Sequence, residues 1–206
     1  MLLSSLIVCI SYIAAQMLSD IGSLQIVSLF GFSLDAGTFI YPITFTLRDM
    51  AHKVLGKRLV RVLIIAAALV NIIMALYFWL VSLLTPDLAA GSSTAWGEVL
   101  APVWRITGAS IIAEVLSELF DTEVYHFWVT KITQRFQWMR VLLSNLFSVP
   151  MDSFIFSFLA FYGQMPAEIV WQIFWGNVLV KGLVTVLSLP MIYMVKDKPD
   201  QPAIDK

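Results

Sequence analysis

The sequence predicts an all-α, polytopic membrane protein with six transmembrane helices; its composition, its apolar stretches and the placement of its basic residues each support that fold class. Hydrophobic residues make up 59% of the 206 residues and charged residues 13%, whereas a soluble domain has roughly 45–50% and about 25%. The mean hydropathy is +0.84. A chain of this composition is too apolar to cover a soluble core with polar side chains.

Six stretches are long and apolar enough to cross a bilayer, which takes roughly 20 residues in a helix. Their approximate bounds are 2–19, 36–55, 60–84, 106–129, 141–162 and 169–195. The first stretch is short and the second carries charged residues. Segment 85–102 contains two prolines, two glycines and two serines, a composition typical of a loop.

Basic residues predict the orientation. The connections after spans two and four and the segment after span six are rich in Lys and Arg, whereas the connections around 20–35, 85–102 and 163–168 contain neither. Since basic connections stay in the cytoplasm, both the N- and the C-terminus are predicted to be cytoplasmic. We therefore expect one transmembrane domain over 1–195, a short cytoplasmic tail over 196–206, and a multi-pass location in the inner (plasma) membrane.

Charge, cysteine content and the N-terminus narrow the class further. The net charge is −1, so no basic field is present to attract nucleic acid. With a single cysteine, Cys9, the chain can form neither an intrachain disulfide nor a cysteine-based zinc site. Residues 1–16 lack the positively charged start of a signal peptide, so we expect them to remain as the first helix.

Two features depart from regular spans. Residues 20–35 alternate apolar and small residues and contain two glycines, which fits either a structured extracellular hairpin or a segment that dips into the bilayer. Pro150 lies two residues before Asp152, and Pro42 falls within the second span. Because proline removes a helical hydrogen bond, both positions predict a kink or break in a helix.

Charged side chains inside the predicted spans indicate a functional site. Lys181 falls near the centre of span six, where a charge costs about 2.5–3.5 kcal/mol or more. The bases Arg48 and Lys181 are outnumbered by the acids in or near the spans, which are Asp49, Glu114, Glu118, Asp121 and Asp152. Some of these carboxyls must therefore be protonated, paired, or in contact with water or a ligand.

Helical spacing gathers the polar residues on single faces. In span four, Glu114, Glu118 and Asp121 follow at i, i+4 and i+7, which places them on one face. Similar stripes run through spans five and six and include Asn145, Asp152, Asn177 and Lys181. Stripes on several helices predict a shared interior that holds a path or pocket for a polar solute. The alternative is an internal charge network that only fixes the register of the helices.

Four blocks of the sequence, in order, carry a family resemblance. They are AGTFIYPITFTLRDMAHKVLGKRLVR (36–61), GASIIAEVLSELFDTEVYHFW (108–128), SNLFSVPMDSFIFSFLAFYG (144–163) and NVLVKGLVTVLSLPMIY (177–193). Together they resemble the vitamin uptake transporter family, also called the queuosine precursor transporter family. The resemblance implies import of the deazaguanine bases from which the tRNA nucleoside queuosine is made.

The resemblance also implies a site. It assigns a binding role to Asp49, Asp121, Asp152 and Lys181, and the helical faces add Glu114, Glu118, Arg48, Asn145 and Asn177. A carboxylate accepts two parallel N–H donors from the Watson–Crick edge of a deazaguanine, and Lys181 or Asn145 can donate to its ring carbonyl. The aminomethyl form of the base is a cation, which an acidic pocket favours. No cofactor is expected.

Other functions stay open at this point. One is the substrate-binding membrane subunit of an ATP-driven vitamin uptake system, since the chain has no Walker A motif of its own. Another is a divalent cation transporter that uses Glu114, Glu118 and Asp121. No HExxH, GxSxG or Cys–His arrangement indicates an enzyme. Proton coupling and facilitated diffusion are both compatible with the carboxyl groups. The expected partners are the small-molecule substrate and membrane lipid, and a homo-oligomer stays open.

Overall fold

In the computed structural model, residues 2–29, 31–132 and 137–195 are described. Within those ranges the α-helices are α1 (Leu2–Gly22), α2 (Pro42–Leu55), α3 (Lys57–Ser82), α4 (Ala95–Leu100), α5 (Val103–Lys131), α6 (Gln137–Phe161) and α7 (Ala167–Ser188). Short 3-10 helices cover Ala36–Phe39 and Leu189–Tyr193. The predicted tail 196–206 lies outside the described residues, and the orientation of the termini stays a prediction.

Five helical stretches of the described chain are long and apolar enough to cross a membrane. They are Leu3–Gly22, Lys57–Ser82, Ala95–Trp128, Val141–Phe161 and Ala167–Tyr193. They correspond to predicted spans one and three to six, and the short helix α4 lies in the segment that was expected to be a loop. The predicted class, a polytopic helical membrane protein, is confirmed.

The second predicted span has a different form. Its first residues make the 3-10 helix Ala36–Phe39, and α2 then has only 14 residues, or about 21 Å at 1.5 Å per residue, less than the roughly 30 Å of the hydrocarbon core. Pro42 occupies the first turn of α2, where a missing N–H is tolerated. Helix α2 contacts all five long helices and is buried along most of its length. This charged span is therefore the central one.

Two short strands of the 20–35 segment pair as a β-hairpin. Helix α1 continues to Gly22, and the strands β1 (Ile26–Leu29) and β2 (Phe32–Asp35) then pair antiparallel, with Ile26 opposite Asp35. Of the two sequence-based alternatives, the structure has the hairpin. Its second strand packs against α7, where Gly176 leaves room for the Leu34 side chain: a Cβ at Gly176 would lie 2.2 Å from Leu34 Cδ2.

Helix α6 remains continuous through Pro150, so the structure contains no broken helix at this position. The buried apolar residues form two main clusters, one centred on α1, α2 and α3 and the other on α5, α6 and α7. The first cluster lies around the middle of α1 and the second near the end of α6. The buried polar side chains described below come from the same helices.

Gly37→Ala is expected to destabilise the protein because Gly37 packs directly on α1. A Cβ at this position would lie 2.1 Å from Ser23 Oγ and 2.3 Å from the backbone oxygen of Ser19. Helix backbone cannot move aside without strain, so we expect a loss of about 1–3 kcal/mol, measured as a lower unfolding temperature in detergent.

Gly182→Ala in α7 is the matched control. A Cβ there meets nothing within 4 Å, and alanine favours a helix over glycine by up to about 1 kcal/mol. The unfolding temperature should therefore stay the same or rise. Equal destabilisation by the two substitutions would contradict the close packing of the 3-10 helix on α1.

Candidate functional site

All nine residues that the sequence predicted for the site are buried. None of Arg48, Asp49, Glu114, Glu118, Asp121, Asn145, Asp152, Asn177 and Lys181 is more than 4% exposed. Two further acids, Asp20 and Asp35, are buried as well. The described interior thus holds seven carboxyl groups, whereas its buried Lys and Arg residues are Arg48, Lys53 and Lys181.

An ion pair between α6 and α7 forms the centre of the candidate site. Lys181 Nζ lies 2.6 Å from Asp152 Oδ2, and Asp152 Oδ1 accepts hydrogen bonds from Tyr41 Oη at 2.9 Å and Ser117 Oγ at 3.2 Å. The Lys181 ammonium also lies 4.6 Å from the centre of the Tyr41 ring, a cation–π distance. This pair therefore joins α2, α5, α6 and α7.

A polar pocket lies against the Asp152–Lys181 pair. Its space of about 250 Å³ is in part open to solvent, and its lining includes Ser19, Ser23, Asp35, Thr38, Tyr41, Ser110, Ala113 and Phe156. Besides residues of α5, α6 and α7, the lining includes Ser19 near the end of α1, Asp35 of the hairpin and Tyr41 just before α2. The pocket therefore lies on the hairpin side of the protein. The space is narrow, and a two-ring base would enter only after the side chains move apart.

Asp35, at the end of the hairpin, holds three elements together at the pocket. It accepts hydrogen bonds from Ser23 Oγ just after α1 (2.7 Å), from the backbone N–H of Thr38 (3.1 Å) and from Asn177 Nδ2 in α7 (2.7 Å). Asn177 was predicted as a site residue from its stripe, and the structure shows Asp35 as its hydrogen-bond partner. Through Asp35 the hairpin forms part of the pocket wall.

Arg48 forms a second charged cluster, separate from the pocket lining. Its guanidinium pairs with Asp49, with Nη2 2.7 Å from Oδ1, and with Asp121 of α5. Ser148 donates to Asp121 Oδ1 at 3.1 Å and to Asn145 Oδ1 at 3.4 Å. Four predicted site residues, Arg48, Asp49, Asp121 and Asn145, therefore belong to this Arg48 cluster and do not line the pocket.

Glu114 and Glu118 occupy the α1–α5 interface. Tyr12 Oη donates to Glu118, and Asp20 accepts a hydrogen bond from Ser110 of α5. Neither oxygen of Glu114 has a hydrogen-bond partner among the described residues. Glu114, Glu118 and Asp121 thus do not converge on a common point as the divalent-cation alternative requires, because Asp121 pairs with Arg48 and Glu118 with Tyr12.

Sequence reasoning missed the two acids that flank the hairpin. Asp20 lies four residues after Gln16 and eight after Tyr12, so it continues the polar face of α1. A first span extended by one residue would have included it. No sequence pattern of this kind indicated that Asp35 is buried. Its burial depends on the hairpin, which returns the chain to α1 and α7.

The family model described as "putative vitamin uptake transporter" matches residues 35–195, from the end of the hairpin to the end of the described chain. The chain belongs to this family. It is thus a transporter and a multi-pass integral protein of the plasma membrane. The family resemblance of the four sequence blocks is confirmed.

One curated relative of this vitamin uptake transporter family member is named "Probable queuosine precursor transporter", from Bacillus subtilis (strain 168). It is 27% identical over 184 residues, which cover 88% of this chain and 80% of the relative. No solved structure matches the chain. The sequence relationship and the helical architecture therefore agree on a transporter, and the pocket is its candidate substrate site.

Proposed function

We propose that this transporter imports a 7-deazaguanine base, a precursor of queuosine, and binds it in the pocket at Asp152 and Lys181. The observation that carries the proposal is the buried ion pair of these two residues, 2.6 Å apart, between the aromatic rings of Tyr41 and Phe156. Lys181 Nζ lies 4.6 Å from the centre of the first ring and 5.9 Å from that of the second.

The chemistry of the pocket suits a flat, polar base. The base presents adjacent N–H donors, which a carboxylate such as Asp152 accepts in parallel. Lys181 can donate to the ring carbonyl, and the neighbouring aromatic rings can contact the faces of the base. Asp152 already accepts hydrogen bonds from Tyr41, Ser117 and Lys181. A bound base therefore replaces some of these donors with its own N–H groups.

Loading of the pocket requires a conformational change. The pocket is narrow, and the ion pair of Arg48 with Asp121 joins α2 to α5 beyond the lining residues Ser110 and Ala113, toward the C-terminal end of α5. With the predicted orientation, the hairpin and the pocket face the outside of the cell. Widening at the hairpin would admit the base, and rearrangement at the Arg48 cluster would release it to the cytoplasm, as alternating access requires.

Thermal unfolding of the detergent-purified protein tests the proposed substrate. Two 7-deazaguanine precursors, one of them the aminomethyl cation, are compared with guanine and magnesium. A ligand present at a hundredfold excess over its Kd stabilises the folded state by about 2.7 kcal/mol, so the precursors should raise the unfolding temperature by several degrees. A response to magnesium alone, or no response to either precursor, would contradict the proposal.

A further inference from the structure

A row of polar pairs joins α1 and α5 beside the pocket. Its three pairs, here called the polar ladder, are Asp20 with Ser110, Gln16 with Glu114, and Tyr12 with Glu118. On each helix the ladder residues are four positions apart, and their numbers rise along α5 as they fall along α1. Successive pairs are therefore separated by about 6 Å along the helix axis, from the hairpin side toward the Arg48 cluster.

Glu114 is the central carboxyl of the polar ladder and the least satisfied. It is fully buried, and both its oxygens lack a hydrogen-bond donor among the described residues. The Gln16 amide lies beside it but makes no hydrogen bond of regular geometry. One oxygen each of Asp20 and Glu118 is unpartnered too, and within the described ranges no salt bridge reaches any of the three acids.

An ionised carboxylate in this position costs several kcal/mol, because it has lost water and gained neither a donor nor a counter-ion. A protonated carboxyl is neutral, and it can donate to an acceptor such as the Gln16 oxygen. Two buried basic side chains lie in this region, and both already have acidic partners. Lys181 pairs with Asp152, and Arg48 pairs with Asp49 and Asp121. Glu114 therefore has neither of these bases to pair with, and it becomes neutral only by binding a proton.

We infer that Glu114 is a proton-binding site and that the polar ladder passes a proton from the hairpin side to the interior in each transport cycle, so that the base enters together with a proton. The inference depends on the proposed function for its cargo. In the coupled step Glu114 gains a proton on the hairpin side and loses it toward the cytoplasm, and the ladder ends the cycle unchanged.

The groups that face Glu114 fit this role. They are Tyr12 and Asp20 on α1, Tyr41 just before α2, Glu118 on α5 and Asp152 on α6, with Lys181 of α7 held by Asp152. Arg48 of α2 faces the neighbouring Glu118. The buried residues of α3 include no charged side chain. Acids thus outnumber bases around Glu114, and among the described residues none of these groups forms an ion pair with it.

Asp152 connects the proton site to the pocket. It lies within electrostatic reach of Glu114 and belongs to the pocket lining. A neutral base that draws Lys181 away from Asp152 removes positive charge from that carboxylate and makes the potential at Glu114 more negative. Proton binding then becomes more favourable, and by reciprocity a protonated Glu114 favours binding of the base.

Uptake into proteoliposomes tests the coupling with a labelled neutral 7-deazaguanine and a pH-sensitive dye in the lumen. The base should acidify the lumen, and an inward gradient of one pH unit should raise its accumulation about tenfold, because one unit is worth about 1.36 kcal/mol per proton. Glu114→Gln imitates the protonated side chain, so it should keep base exchange without a gradient but lose both proton-dependent effects.

Glu123→Gln is the matched control. Glu123 lies on the same helix, is half-exposed and pairs with Lys57 and Arg61 outside the polar ladder. This variant should retain gradient-driven accumulation. Wild-type uptake that ignores the pH gradient, or a Glu114→Gln variant that still accumulates the base with it, would overturn the inference.

A second measurement needs no substrate and separates this inference from the proposed function. Infrared difference spectra of the purified protein between alkaline and acidic buffer should show a protonated-carboxyl band that Glu114→Gln lacks and Glu123→Gln retains. If this band is present while no deazaguanine is bound or exchanged, the proposed cargo is wrong and the proton site stands. If all three proteins show the same spectrum, Glu114 is not the proton site.

Discussion

Asp152→Asn is expected to abolish transport while the protein still folds and inserts into the membrane. Asparagine keeps the shape of the side chain and one acceptor oxygen for Tyr41, so the contacts between α2 and α6 persist. It removes the negative charge that holds Lys181 and one of the two acceptors proposed for the base. We expect uptake to fall to background, measured in proteoliposomes together with the unfolding temperature and the size-exclusion profile.

Ser188→Ala serves as the control for Asp152→Asn. Ser188 is also buried in α7, and its hydroxyl lies 2.6 Å from Thr46 Oγ1 of α2, but it does not line the pocket. Such hydrogen bonds between membrane helices are worth about 0.6 kcal/mol on average, so its transport should be nearly unchanged. A folded Asp152→Asn variant with full transport activity, or an equal loss of transport in both variants, would contradict the assignment of the site.

Arg48→Met is expected to cause the largest loss of stability. Asp49 and Asp121 share the Arg48 guanidinium, and the side chains of all three are at most 1% exposed. Removing one partner of a buried ion pair typically costs about 3–5 kcal/mol, a large part of the 5–15 kcal/mol by which proteins are usually stable. The yield of folded protein and its unfolding temperature in detergent should both drop sharply.

Two further variants show whether this loss comes from the buried charges. Arg61→Met removes an arginine from the exposed pair with Glu123, and such pairs contribute about 0–1 kcal/mol. Adding Asp121→Asn to Arg48→Met should restore part of the stability, because fewer charges remain without a counter-ion. If Arg48→Met proves no more harmful than Arg61→Met, the Arg48 cluster is not a stabilising element.

The outcome for the predicted site shows where helical spacing helps and where it stops. Spacing identified Glu114, Glu118, Asp121 and Lys181 as inward-facing, and all four are buried. It could not show that Asp152 belongs to the pocket and Asp121 to the Arg48 cluster. A polar stripe defines one face of one helix, and it does not identify the side chain of the neighbouring helix that each polar residue contacts. The single predicted site therefore became a pocket, an ion-pair cluster and a polar ladder.

The second span illustrates the same limit in the fold. Its charged residues and its proline were visible in the sequence, yet both a short central helix and a tilted span are compatible with them. Helix α2 can be short and charged because five long helices surround it and supply partners for its polar side chains. That protection depends on residues far away in the chain, such as Asp121 and Ser188.

The sequence by itself determined the class, the approximate bounds of the long helices, the membrane location and the family. These properties follow from local composition, because each spanning segment must satisfy its own backbone hydrogen bonds and present apolar side chains to lipid. The tertiary structure alone decided the hairpin that carries Asp35, the central position of α2 and the partner of each buried charge. The reason is physical: charge pairing inside a membrane depends on which helix faces meet, and helices distant in the sequence contribute those faces together.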